Sequence, residues 1–339
     1  MGVKKINGGV EDFINKFVRA RGGDSTGLDA ATPAGARHTK ATGGTISDYT
    51  DPGPGKIYRV HIFTSSGTFT VTQIGNGVEF ALGGPSDVEY LVVAGGGSGG
   101  ITNGGWASGG AGAGGFRTNV PGVQNAAGSP LTGAAFPVGV SPYPVIVGGG
   151  GAGVSTPPGQ PGNKGGDSVF STITSTGGGG GIRSHPSPAA ATSGGSGGGG
   201  YNNHPGQPGN NPPTSPPQGN AGANSPNDDT GSGGGGAGAA GSGGTGPAGG
   251  AGGLGVPIAI ETNTAKFYSV GGGGASQYGA SPADPHGVGG RGGNDGTQTS
   301  GTLNTGGGGG ACRNGNGPSG AGGSGIVVVR YQISPSSQP

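Results

Sequence analysis

Apolar and polar positions follow three rhythms along this chain. Near the start, Val10, Phe13, Ile14, Phe17 and Val18 fall at i, i+3, i+4, i+7 and i+8, one stripe at the helical period. The spacing predicts a short amphipathic helix over residues 10–21, stopped by Gly22-Gly23. From Lys56 the rhythm changes to two. Ile57, Arg59, His61, Phe63 and Ser65 alternate with Tyr58, Val60, Ile62 and Thr64, and many of these residues are β-branched or aromatic, as strands prefer. TFTVTQI (68–74) reads as a second strand, joined to the first through Ser65-Ser66-Gly67 as a hairpin, with a third short strand expected over 78–82. VEYLVVA (88–94) is apolar at nearly every position, the pattern of a strand covered on both faces. Beyond it, glycine tracts alternate with short apolar or polar segments until IVVVRY (326–331). The first of these strands runs into a tract, VEYLVVAGGG, and the last emerges from one, GGSGIVVVRY. This mirrored pair predicts a β core closed by the two strands, with the tracts packed on it as rods.

Smaller apolar segments punctuate the glycine-rich part. Residues 116–140 read as a connector, PYPVIV (142–147) as a strand and DSVFSTITST (167–176) as an alternating segment. IAIETNTAKFYSV (258–270) reads as a hairpin turning at Thr262-Asn263-Thr264. Residues 182–230, 275–302 and 312–314 read as loops between tracts.

Composition sharpens the question of what could order such a chain. Of 339 residues, 94 are glycine and 28 proline. That proportion without a strict triplet commonly marks disorder, and runs such as 177–181 and 306–310 exclude a collagen repeat. Ordering glycine costs more backbone entropy than ordering any other residue and buries no side chain. What glycine offers is close approach, so that main chains can exchange N–H···O=C bonds between rods. Polyproline-II geometry leaves those groups free for neighbours, and buried amides require partners. The expected fold is mainly β, with polyglycine-II-like glycine-rich helices packed on a small β core and one short N-terminal amphipathic helix. The expected layout is a helical attachment segment (1–23), a linker or arm (24–55), a β-hairpin/strand region (56–94), a glycine-rich domain (95–331) and a tail (332–339).

Charge and chemistry exclude more than they assign. Sixteen basic against fifteen acidic residues leave a net charge of +1, and no basic stripe exists to neutralise phosphates, so nucleic acid is not an expected partner. No apolar run reaches the ~18–20 residues of a membrane span, so no membrane insertion is expected. The first residues lack an apolar h-region, and Ile6 stands where myristoylation wants Ser or Thr. A single cysteine, Cys312, precludes an internal disulfide and a multi-cysteine zinc site. Matches to phosphate-binding glycine loops arise by composition here, and none is followed by a helix. His185 and His204 lack a third ligand at useful spacing, and Asp228-Asp229 lies in no calcium-binding repeat. No catalytic set, cofactor or metal is therefore expected. Loops on a rigid scaffold are where contacts with partners concentrate. The candidates for receptor contact are Trp106, His185, Tyr201, His204, Tyr278, His286 and Arg291. Trp106, the one tryptophan, could stack on a sugar ring or cover glycine rods as a wedge.

HIFTSSGTFTV, VEYLVVAGGGSGG, SPYPVIVGGGGAG, GNKGGDSVFSTITSTGGGGG and the closing GSGIVVVRY carry a resemblance. Over roughly residues 56–331 the chain resembles the glycine-rich domain of tail fibres and other virion proteins of bacteriophages. It is also similar in style to tail-tip adhesins built from stacked polyglycine-II helices. The resemblance implies a virion protein of no enzymatic activity whose loops meet a bacterial surface receptor, a glycan or an outer-membrane protein. A non-adhesive component, such as a head decoration or tail adaptor, is the alternative it allows. Residues 1–50 match nothing in that pattern. Attachment there, to other virion (tail) proteins or to a symmetry mate, rests on the helical stripe and its isolation from the β region; covering the chain's own body is the alternative. Fibres by analogy imply a homo-oligomer, a trimer being one form.

Overall fold

The computed structural model describes residues 38–334, apart from 52–55, 76–84, 103–105, 156–160, 184–190, 226–229, 246–247, 278–280, 282–283, 285, 295 and 314–316. The expected N-terminal helix and the expected strand at 78–82 lie outside the described residues. Among those described there are thirteen strands and no helix, so the chain is mainly β.

Two sheets face one another. The first holds β1 (Lys40–Thr42), β4 (Gly67–Gln73), β8 (Pro142–Ile146), β9 (Ser168–Phe170) and β10 (Ile173–Ser175), in the order β1-β4-β8-β9-β10. The second runs β2 (Thr45–Thr50), β3 (Ile57–Phe63), β13 (Ile326–Ser334), β5 (Asp87–Val93) and β6 (Phe116–Thr118), while β7 (Phe136–Pro137) also pairs with β5. A separate hairpin joins β11 (Val256–Ile258) to β12 (Lys266–Tyr268). The mirrored strands β5 and β13 are antiparallel neighbours, with Ile326 opposite Val93 and Arg330 opposite Glu89.

Alternation sends β5 and β13 into two cores. Val88, Tyr90, Val92, Val327, Val329 and Tyr331 meet Phe69, Val71, Val145 and Phe170 of the first sheet. On the opposite face, Leu91, Val93, Ile326 and Val328 meet Phe116, Val256, Ile258 and Tyr268. Burial on both sides is what the unbroken apolar pattern of β5 requires. Each such fully buried aliphatic side chain contributes roughly 1.5–3 kcal/mol.

Two expectations are corrected. β3 and β4 are not a hairpin: β3 pairs with β2 and β13, and β4 with β1 and β8. Residues 64–66 are a corner between sheets, because Phe63 and Phe69 bury their rings in the same inter-sheet core. Residues 40–50, read as part of a linker, form β1 and β2, one in each sheet, joined across Gly43-Gly44.

The tracts extend the strands beyond one end of the sheets. Tract 95–100 continues β5, 107–115 leads into β6, and 318–325 leads into β13. Their amides bond between tracts with a period of three. Gly95 and Ser98 donate to Gly166 and Asn163, Gly96 and Gly99 to Gly323 and Gly320, and Gly97 and Gly100 to Gly112 and Gly109. The carbonyls of the same tract accept from Gly178 and Gly181, from Gly151, and from Gly309 and Cys312. Tract 95–100 is thus surrounded by six others, and all six of its amides and five of its carbonyls are bonded to them. Glycine is required by distance: a Cβ on Gly96, Gly99 or Gly100 would lie 2.1, 2.1 or 2.0 Å from the carbonyl oxygen of Gly307, Gly310 or Ile182.

Candidate functional site

Several tracts follow or precede a strand, 95–100 after β5, 107–115 before β6 and 318–325 before β13, and so run from the sheet end to a far face. Hydrogen bonding traces the far face through the turns. Ile101 bridges Cys312, Gly293 bridges Cys312, Thr230 bridges Ser276, and Tyr201 bridges both His204 and Gly231. The turn at 201–204 reverses through Asn202 and Asn203, both left-handed (φ 49° and 57°), as a two-residue turn of primed type demands. Arg313 ties three far turns together, its Nη1 donating to Gln277 O at 2.9 Å and to Asn294 Oδ1 at 3.1 Å. Beneath this layer Ala107, Ile182, Ala191 and Tyr201 form a small buried cluster.

Only some of the expected contact residues gather here. Trp106 lies at the far face, 39% exposed, and His204 is exposed in the chain reversal of 201–204. Tyr201 is corrected: at 1% exposure it anchors the turn from below and offers no surface. His286 is at the other end. Its ring stacks on Phe267 of β12 at 3.5 Å, and the Asp284 carboxylate holds its turn by accepting from the amides of His286, Val288 and Gly289. Arg291 sits along the flank of the lattice, donating from Nε to Ser281 O. His185 and Tyr278 lie outside the described residues. The described parts of the expected loops 182–230 and 275–302 are largely lattice: Gly197, Gly199, Gly222 and Gly290 all donate to neighbouring tracts. Among the described residues no three His, Cys, Asp or Glu side chains group as a metal site.

A family model described as glycine-rich domain matches residues 63–332. The chain belongs to the glycine-rich domain family. No curated protein matches it.

In this glycine-rich domain the most polar constellations are near the sheets, and sequence reasoning missed them. Arg330, 7% exposed, pairs through Nε with Glu89 Oε2 at 2.5 Å. It also donates to the Tyr49 hydroxyl and to Ala259 O, and lies 4.6 Å from the Tyr58 ring centre. Burial pushes the hydroxyls of Tyr49 and Tyr58 above the usual phenol range. A cavity of about 320 Å³ beside them is walled by Tyr58, Pro85, Val88, Asn119 and Pro121. The signal was present in IVVVRY and DVEYLVV: Arg330 shares a face with Val328, and Glu89 with Leu91, so two charges fall on one buried side. Across the same sheet, His61 is wholly buried, its Nδ1 2.7 Å from Gly43 O and its Nε2 3.3 Å from the Tyr331 hydroxyl.

Proposed function

We propose that this chain is a bacteriophage virion protein, a tail fibre or tail-tip adhesin, which holds receptor-binding turns at the end of a glycine-rich scaffold. The observation that carries the reading is polarity. Described chain begins beside Gln73, whose Nε2 donates to His38 O, and ends at Ser334 opposite Ile57. Both are at the sheet end, and the tract turns bearing Trp106 and His204 are at the other. One pole suits attachment to neighbouring virion proteins through residues 1–23, directly or within a homo-oligomer such as a trimer. The opposite pole suits a bacterial surface glycan or outer-membrane protein. The tracts serve as polyglycine-II-like rods, a reading supported by hydrogen bonds that repeat every third residue, as a helix of three residues per turn requires. Such a lattice is stiff because each rod is bonded on several sides, and stiffness keeps the turns in fixed relation. The role is one of binding, with no enzymatic step.

The test is made in particles carrying altered far turns. Trp106→Ala with His204→Ala, and exchange of the 201–204 turn for Asn-Gly, are scored for particle yield and for adsorption to host cells. Adsorption reduced tenfold or more at normal yield supports the adhesin. Lost assembly favours a head decoration or tail adaptor, and unchanged adsorption with normal assembly refutes the adhesive role.

A further inference from the structure

The corner where the chain crosses between the sheets stands on a buried imidazole. Gly43 (φ +109°) and Gly44 (φ +64°) make the crossing, and a Cβ on Gly43 would lie 2.0 Å from Thr68 O. His61 lies directly under it. A backbone carbonyl can only accept, so Nδ1 carries the proton and donates to Gly43 O at 2.7 Å. Nε2 is then an acceptor for the Tyr331 hydroxyl at 3.3 Å, and that hydroxyl accepts from Ala41 N at 3.0 Å. Through this one neutral ring, β1 and the start of β2 are bonded to β3 and β13. Phe69 of β4 closes the ring edge-on at 5.0 Å and Tyr331 stacks at 5.6 Å, so a charge there would have no water.

We propose that His61 is an acid-sensitive latch, whose protonation releases β1, the Gly43-Gly44 corner and β2 from the body while the glycine lattice stays folded. A second proton would turn Nε2 from acceptor to donor, so the Tyr331 hydroxyl could no longer donate to it and a cation would stand in a dry core. The charged groups around it do not rescue the cation. Arg59, two residues along β3, is like-charged; Asp48 of β2 is already paired with Arg59 at 2.8 Å. On β13 the facing group is the Tyr331 phenol, on β4 the Phe69 ring, and Lys40 of β1 is exposed. Burial accordingly holds the imidazole below its ordinary value of 6.5. With the folded value lower than the unfolded one, the latch is fully closed above about pH 6.5 and weakens as pH falls. Tracts 95–100 and 107–115 contain no titratable side chain, so acid does not act on them directly. If residues 1–23 attach the protein, the latch lies at the root of that attachment, but its chemistry does not depend on the attachment.

Hydrogen exchange on the full chain, corrected for intrinsic rates, tests this at pH 7.5 and 5.5. Opening of residues 41–50 should rise up to about tenfold, the effect of one proton taken up over that range, with residues 107–115 unchanged. His61→Gln keeps a donor toward Gly43 and should abolish the rise. Tyr331→Phe should open the corner at both pH values yet keep the pH dependence. Proton NMR at pH 7 should show a neutral His61 carrying Nδ1–H, an outcome readable even if the Gln variant does not fold. A cationic ring at pH 7, a rise that persists in His61→Gln, no rise in the parent, or parallel loosening of the lattice would overturn the proposal.

Discussion

Substituting Gly99 by alanine places one methyl group between two rods. The Cβ would sit 2.1 Å from Gly310 O, 2.4 Å from Gly310 C and 2.6 Å from Ala311 N, where real contacts stay beyond 3.0 Å. The obstruction is main chain, so no rotamer relieves it. Moving rod 306–312 away stretches the 2.9 Å bonds from Gly309 N to Gly97 O and from Cys312 N to Gly100 O. Overpacking costs about 1–3 kcal/mol, and each buried bond left unmade about 1–3 kcal/mol more. The expected loss is at least ~3 kcal/mol. Gly149 supplies the control. It lies in a neighbouring tract, outside the left-handed region, with nothing within 4 Å of an added Cβ. There alanine should stabilise by ~0.4–1 kcal/mol, by restricting the unfolded chain. Urea unfolding followed by circular dichroism reads both. At roughly 2–4 °C per kcal/mol for a domain of this class, Tm should fall by at least ~6 °C for Gly99→Ala and rise slightly for Gly149→Ala. Equal, small effects at the two sites would refute the claim that rod spacing is set by the missing side chain.

Other substitutions separate interactions by burial. Arg330→Ala should destabilise by about 2–3 kcal/mol, because it removes a buried guanidinium that holds the partly exposed Glu89, the Tyr49 hydroxyl and Ala259 O, whereas Arg59→Ala, from a pair 37% and 40% exposed, should cost under ~1 kcal/mol; chemical denaturation compares them. Ser108→Ala removes a hydroxyl lying 2.7 Å from Cys312 O and should cost about 1 kcal/mol. Ser196→Ala removes one that is buried without a partner and should be neutral or stabilising, so similar losses at both serines would count against the hydrogen-bond assignment.

What could be read in the sequence was whatever depends on local rhythm. Alternation in 57–63 and 68–73 marked two strands, and the mirrored motifs paired β5 with β13. Pairing partners were not legible. A turn such as Ser65-Ser66-Gly67 serves a hairpin or an inter-sheet corner equally, and only the shared core of Phe63 and Phe69 decides. β1 and β2 were hidden because a three-residue strand carries no period, and β2 is an edge strand with five of its six residues exposed. In the tracts, glycine announced close packing but gave no sign of which tract meets which. Residues 191–225 therefore read as loop yet lie largely in the lattice, bonded to other tracts. Tyr201 illustrates the cost: beside two Asn residues it looks like a loop tip, and only the neighbouring Ala107, Ile182 and Ala191 show it pointing inward.

Amide hydrogen exchange along residues 95–100 and 107–115 bears most directly on whether main-chain pairing alone orders this domain. Protection there should match that of β13, with Gly97, Gly100, Gly109 and Gly112 among the slowest, since all four donate within the interior. Exchange at the rate of an unstructured glycine peptide, while β13 stays protected, would contradict it.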